Sequence, residues 1–178
     1  MAKGRKRVWL GPEPATGLTK PLYLCQYATT LLHIEDSIVR VVKLSAPRAE
    51  VWARSFGSPQ ALSSWFPERV EGDFRLGEPF FLVWGEHRCE CRLVEFDPEC
   101  ALAYQWHPGE AVLLSGLPEE ELTTVRFTLL DAPDGGTEVH MVESGFNRIT
   151  ESRRAKCFES NFNGWDEELP KLSKSCES

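Results

Sequence analysis

Six consecutive strand signals constrain this chain more than any other feature: Arg69–Phe74, Pro79–Trp84, Arg88–Phe96, Ala101–His107, Leu122–Leu130 and Thr137–Ser144. Each is rich in β-branched and aromatic residues, and turn-forming residues separate them. Neighbours joined by tight turns pair antiparallel, because a parallel pair needs a long crossover. Asp97-Pro98-Glu99-Cys100 has Asp at the first position and Pro at the second, which is type I turn chemistry. A four-residue turn there pairs Phe96 with Ala101, Leu93 with Tyr104 and Cys91 with Trp106. Opposed residues share a face, so Cys89, Cys91, Leu93, Tyr104 and Trp106 fall on one side. Asp134-Gly135-Gly136 closes a second hairpin, with Val125, Phe127 and Leu129 on one arm and Val139 and Met141 on the other.

Ahead of these runs, Ile38 to Leu44 reads as a further strand, for about seven in all. Pro47 stops it and suits the first turn of a helix carrying Val51, Trp52, Ser55 and Phe56 at helical spacing. Ser58 as N-cap and Pro59 at the first helical position open a second short helix. Leu62, Trp65 and Phe66 form its apolar stripe, and Pro67 ends it. Beyond the last strand, the pattern from Glu151 to Leu172 is that of a long helix. Phe158, Phe162, Trp165, Leu169 and Leu172 recur at intervals of four, three, four and three. They share one face, which is expected to lie on the sheet. Pro170 is expected to kink that helix or end it early. The fold class is therefore α+β: a curved antiparallel sheet, two short helices after its first strand, and a long C-terminal helix packed on it. This domain spans 36–178. Residues 1–35 are basic at Lys3, Arg5, Lys6 and Arg7, are broken by Gly11, Pro12, Pro14 and Gly17, and read as a poorly ordered tail.

Charge narrows the function. Lys and Arg number 20 against 27 Asp and Glu, for a net charge of −7 and a pI near 5.2. That balance argues against a phosphate-tracking surface, so no nucleic-acid partner is expected. No apolar run approaches the ~20 residues that cross a bilayer, and no apolar stretch follows the basic start as in a secretory signal. Six cysteines without a CxxC pair or a regular framework read as free thiols of a reducing compartment, with the cytoplasm as the expected location.

The order strand, two short helices, six strands, long helix resembles the START-like (SRPBCC) superfamily, the helix-grip fold shared with the birch pollen allergen. Ala46-Pro47-Arg48-Ala49-Glu50-Val51-Trp52, followed by Pro59, Leu62 and Trp65-Phe66-Pro67, is similar to a narrower group. So are Glu95-Phe96-Asp97-Pro98 leading to Leu102, Tyr104 and Trp106, and Gly136-Thr137, Ser144-Gly145-Phe146 and Gly164-Trp165 with Leu169. That group is the family of the C-terminal domain of the activator of heat-shock protein 90 ATPase. Gly77-Glu78, where a glycine pair is usual, and Pro170 depart from its pattern. The resemblance implies a helix-grip domain, since the superfamily binds hydrophobic small molecules and in some branches cyclises them. It also implies a chaperone as an alternative partner.

Trp65, Phe66, Trp84, Tyr104, Trp106, Phe127, Phe162 and Trp165 supply aromatic walls of the kind that line apolar ligand pockets. With Cys91, Met141 and Glu143 they make the expected ligand-binding set. The same residues also make a plain core, and only volume separates the two. Tyr104 brings a hydroxyl into an apolar wall and needs a partner. Glu143 shares a face with Val139 and Met141. There it is either a core-facing carboxylate with a raised pKa, able to meet a ligand hydroxyl or move a proton, or a strand-end group pointing to solvent at the rim. His87, Cys89 and Cys91 share a strand face as three zinc ligands would, but no fourth ligand is apparent, and neither a metal nor another cofactor is expected. Three functions follow: a non-catalytic module holding a small hydrophobic molecule between sheet and C-terminal helix, a chaperone-associated interaction protein, and a cyclase- or hydrolase-type enzyme using the same cavity with Glu143 and Tyr104 as acid and base. The first is preferred, because no nucleophile elbow, phosphate loop or paired-carboxylate motif supports catalysis.

Overall fold

In the computed structural model, which describes residues 36–108, 114 and 121–176, every strand signal joins one sheet. The tail expected over 1–35 lies outside the described residues. Strands β1 (Ser37–Leu44), β2 (Arg69–Glu71), β3 (Pro79–Trp84), β4 (His87–Asp97), β5 (Ala101–Trp106), β6 (Thr123–Asp131) and β7 (Thr137–Ser144) alternate with helices α1 (Arg48–Ser55), α2 (Pro59–Leu62) and α3 (Glu151–Cys176) in the expected order. Across the sheet the order is β1-β7-β6-β5-β4-β3-β2, antiparallel throughout. The fold is α+β and of the helix-grip type, with α3 lying against β1 and α1. Among the described residues no helix is long and apolar enough to cross a membrane.

Local chemistry explains most of this. The Ser58 hydroxyl accepts from Ala61 N–H at 3.1 Å and caps α2, with Pro59 at its first position. Gly85 has φ +55° in the two-residue Gly85-Glu86 turn that joins Trp84 to His87. Positive φ at only the first central residue is the type II′ hairpin pattern. Its N–H donates to Glu68 Oε2 at 2.9 Å, tying the hairpin tip to the chain before β2. Strand β7 alternates cleanly, burying Thr137, Val139, Met141 and Glu143.

Four expectations are corrected. Near the Asp97 turn the register is one residue off: Phe96 pairs with Leu102, not Ala101, because a β-bulge at Val94 adds a residue before Leu93 meets Tyr104 as expected. That turn is not type I. Cys100 N–H bonds the Asp97 carbonyl at 2.9 Å while Glu99 holds φ +64°, and positive φ at the third position belongs to type II. Strand β2 stops at Glu71 rather than Phe74, since Gly72 turns the chain at φ +95°. Finally, Pro170 does not end α3 early. Pro170 and Asp166, whose carbonyl it leaves without a helical partner, are both exposed, so water meets that carbonyl and the helix runs on to Cys176.

The interior between α1, α2 and the sheet is filled with rings. Trp65 packs edge-on to Phe127 at 5.8 Å and to Phe56 at 5.7 Å, and Phe127 reaches Trp165 at 5.9 Å. Trp65 resolves its polar end by donating to the Ser55 carbonyl at 3.0 Å. The stripe that α3 buries is Cys157, Asn161, Trp165, Leu169 and Leu172. Phe158 and Phe162, expected to belong to that stripe, sit half-buried on its flank. There Phe158 meets Phe146 at 5.1 Å and the Arg40 guanidinium lies 4.1 Å over Phe162.

Candidate functional site

Where α3 passes over the ends of β3, β4 and β5, the packing opens into a groove of about 380 Å³. Four rings wall it: Phe66 from the turn beyond α2, which stops at Leu62 rather than running on to Pro67 as expected, Trp84 from the last position of β3, Trp106 from the last position of β5, and Trp165 from α3. Phe66 joins the other three, with centroids 5.2 Å from Trp84, 6.5 Å from Trp106 and 5.1 Å from Trp165. The helix opposes them with Ser160, Asn161, Gly164 and Glu168, and His87, Cys89 and His107 complete the lining. Small residues on the helix hold the groove open: a Cβ built on Gly164 would meet nothing within 4 Å.

Behind this wall lies Glu143, fully buried. Strand alternation places it beside Val139 and Met141 on the core face, and register sets it opposite Val125. Four donors surround it. Trp106 Nε1 (2.8 Å), Thr123 Oγ1 (2.7 Å) and Asn161 Nδ2 (2.8 Å) donate to Oε1, and Trp165 Nε1 (2.7 Å) donates to Oε2. Burial pushes the Glu143 pKa above the ordinary carboxylate value, and the four hydrogen bonds pull against burial without cancelling it. Four donors aimed at its two oxygens favour the ionised form, in opposition to that burial. The reading of Glu143 as a rim group pointing to solvent is overturned; it is the core-facing carboxylate.

Of the expected ligand-binding residues, Phe66, Trp84, Trp106 and Trp165 border the groove. Trp65, Cys91, Tyr104, Phe127 and Met141 are packed in the interior, and Phe162 is on the outer flank of α3. Burial pushes the Tyr104 hydroxyl and the Cys91 thiol well above their ordinary pKa values, so both stay protonated. Tyr104 Oη has no hydrogen-bond partner among the described residues. Glu143 and Tyr104 are thus shut away from the groove that was to hold their substrate. Sequence reasoning did not assign His87, Cys89, His107, Ser160, Asn161, Gly164 or Glu168 to a ligand site. Asn161 had a usable signal, four residues before Trp165 on the same helical face. At the groove's end Arg153 Nη2 lies 3.0 Å from His107 Nε2. The same nitrogen lies 3.6 Å from Glu121 Oε2.

A family model described as activator of Hsp90 ATPase homolog 1-like protein matches residues 45–177. No curated protein matches the chain. Among solved structures, protein MLL2253 from Mesorhizobium loti is 19% identical with a TM-score of 0.62, covering 79% of this chain and 96% of that one. Protein NE0264 from Nitrosomonas europaea is 19% identical with a TM-score of 0.61, over 80% and 95%. The Aha1 dimer from Colwellia psychrerythraea is 16% identical with a TM-score of 0.58, over 79% and 96%. At these identities the three share the fold with this chain. With a sheet, helices and ring positions in the expected order and the family model spanning most of its length, the chain belongs to the activator of Hsp90 ATPase homolog 1-like family.

Proposed function

We propose that this protein is a non-catalytic module that takes a small, largely apolar molecule in the groove between the ends of β3–β5 and α3. One observation carries the reading: four rings converge on a space of about 380 Å³ beside a helix face of small and polar residues. Such a space, aromatic with few polar tips, fits the chemistry of small-molecule sites. The site differs from the interior cavity that an enclosing helix-grip would offer, since the interior is filled by Trp65, Phe127 and Tyr104. Acid–base work by Glu143 and Tyr104 is disfavoured because neither reaches the groove. Contact with a chaperone has no comparable feature in its support.

A thermal-shift panel of aromatic and alicyclic compounds tests this. A ligand that binds only the native state stabilises it by about 2.7 kcal/mol at a hundredfold excess over Kd. Gly164→Leu should abolish that shift by filling the groove while leaving the unliganded protein at least as stable, because open space surrounds the position and Leu favours helix. Shifts that survive Gly164→Leu, or a panel without any shift, would contradict the proposal.

A further inference from the structure

Glu143 is a buried carboxylate side chain with four neutral donors and no ion-pair partner among the described residues, and it stands directly behind the groove wall. Those donors are two indoles, a hydroxyl and an amide, so none of its hydrogen-bond partners carries a positive charge. Three of those donors, Trp106, Trp165 and Asn161, are themselves groove-lining residues. Other charges at the groove are matched locally: Glu168 accepts from Lys171 at 2.7 Å, and Arg153 pairs with Glu121 at 2.6 Å. The uncompensated charge is therefore negative and lies one ring behind the walls.

Two physical effects then act in the same direction. An aromatic face attracts cations through its quadrupole, best for Trp. An indole whose N–H donates to a carboxylate carries extra electron density in its ring, which strengthens that attraction, and low dielectric leaves the carboxylate field weakly screened. Trp106 and Trp165 both donate in this way, with ring centroids 6.0 Å apart. We infer that the groove selects organic cations, an alkylated ammonium joined to an apolar body, over neutral molecules of the same shape. This deepens the proposed function and rests on the groove being a binding site.

The test uses two isosteres and the full chain. Benzyl(2-hydroxyethyl)dimethylammonium and 3,3-dimethyl-4-phenylbutan-1-ol differ in one atom that carries the charge. Calorimetric titration should give the ammonium about tenfold tighter binding. In Glu143→Gln the ratio of ammonium to alcohol affinity should shrink toward parity, whatever the absolute affinities become. Equal or tighter binding of the alcohol to the wild type overturns the inference and leaves the groove as a neutral site. Binding of neither compound also overturns it, and the thermal-shift panel then judges the groove separately. Should Glu143→Gln fail to fold, the wild-type ratio alone decides.

Discussion

The interior and the groove are built from the same kind of residue and behave oppositely. Under α1 and α2, Phe56, Trp65 and Phe127 interlock until each is almost wholly buried. A few ångströms away Trp84 and Trp106 stay half-buried and leave a space. What differs is the element that covers them. Helices α1 and α2 bring Val51, Trp52, Phe56 and Leu62 down onto the sheet, whereas the part of α3 over the groove offers Ser160, Asn161 and Gly164. Aromatic count alone does not separate core from site; the size of the side chains facing the rings does. Between the two regions stands Glu143, holding Trp106 and Trp165 as a shared wall.

Removing that wall's anchor should have the largest effect. Glu143→Leu strands four buried donors, and a loss of about 3–5 kcal/mol is expected in urea unfolding. A loss under about 1 kcal/mol would show that the donors find other partners and that the wall does not depend on the carboxylate.

The charge on the wall can be sharpened by pH. Because the folded pKa of Glu143 lies above its ordinary value of 4.5, the folded protein keeps a proton that the unfolded chain has released once pH passes that value. That contribution to stability is full below the ordinary value and is lost as pH rises through the folded pKa. Wild type should therefore lose stability relative to Glu143→Gln as pH rises above 4.5, measured as the difference in urea midpoint. A relative gain over the same range would mean that the donors outweigh burial.

Smaller effects probe each side of the comparison. On the groove side, Gly164→Ala should raise stability by about 0.5–1 kcal/mol, the gain of replacing a helical Gly where nothing is crowded. A loss would show the helix face to be closely packed. On the interior side, Tyr104→Phe removes a buried hydroxyl that has no partner, so stability should be unchanged or slightly higher. A loss above about 1 kcal/mol would reveal a partner, such as an enclosed water, within the core.

Much of the fold is legible in the chain because short-range chemistry specifies it. Asp134-Gly135-Gly136 sets the register of β6 on β7, so Phe127 meets Met141 and Leu129 meets Val139. The β4–β5 pair was readable away from its turn and misread beside it, because nothing in Leu93-Val94-Glu95 announces a bulge and Glu99 is an unusual residue for a left-handed position. On α3 the hydrophobic stripe pointed to Phe158 and Phe162, while burial chose Cys157 and Asn161. Asn161 is inside because Glu143 needs its amide, and that requirement appears only when a strand from one part of the chain faces a helix from another. The groove was least legible: it is a volume, and it exists because of Gly164 and Ser160, residues that carry no chemical signature.

The most direct measurement follows the indole N–H signals during titration with a ligand from the thermal-shift panel. Trp84, Trp106 and Trp165 border the groove, while Trp52 and Trp65 belong to the interior. The account predicts that the first three indole resonances move together and saturate at one Kd while those of Trp52 and Trp65 stay in place. Movement of Trp52 and Trp65 with the groove indoles unmoved would contradict it.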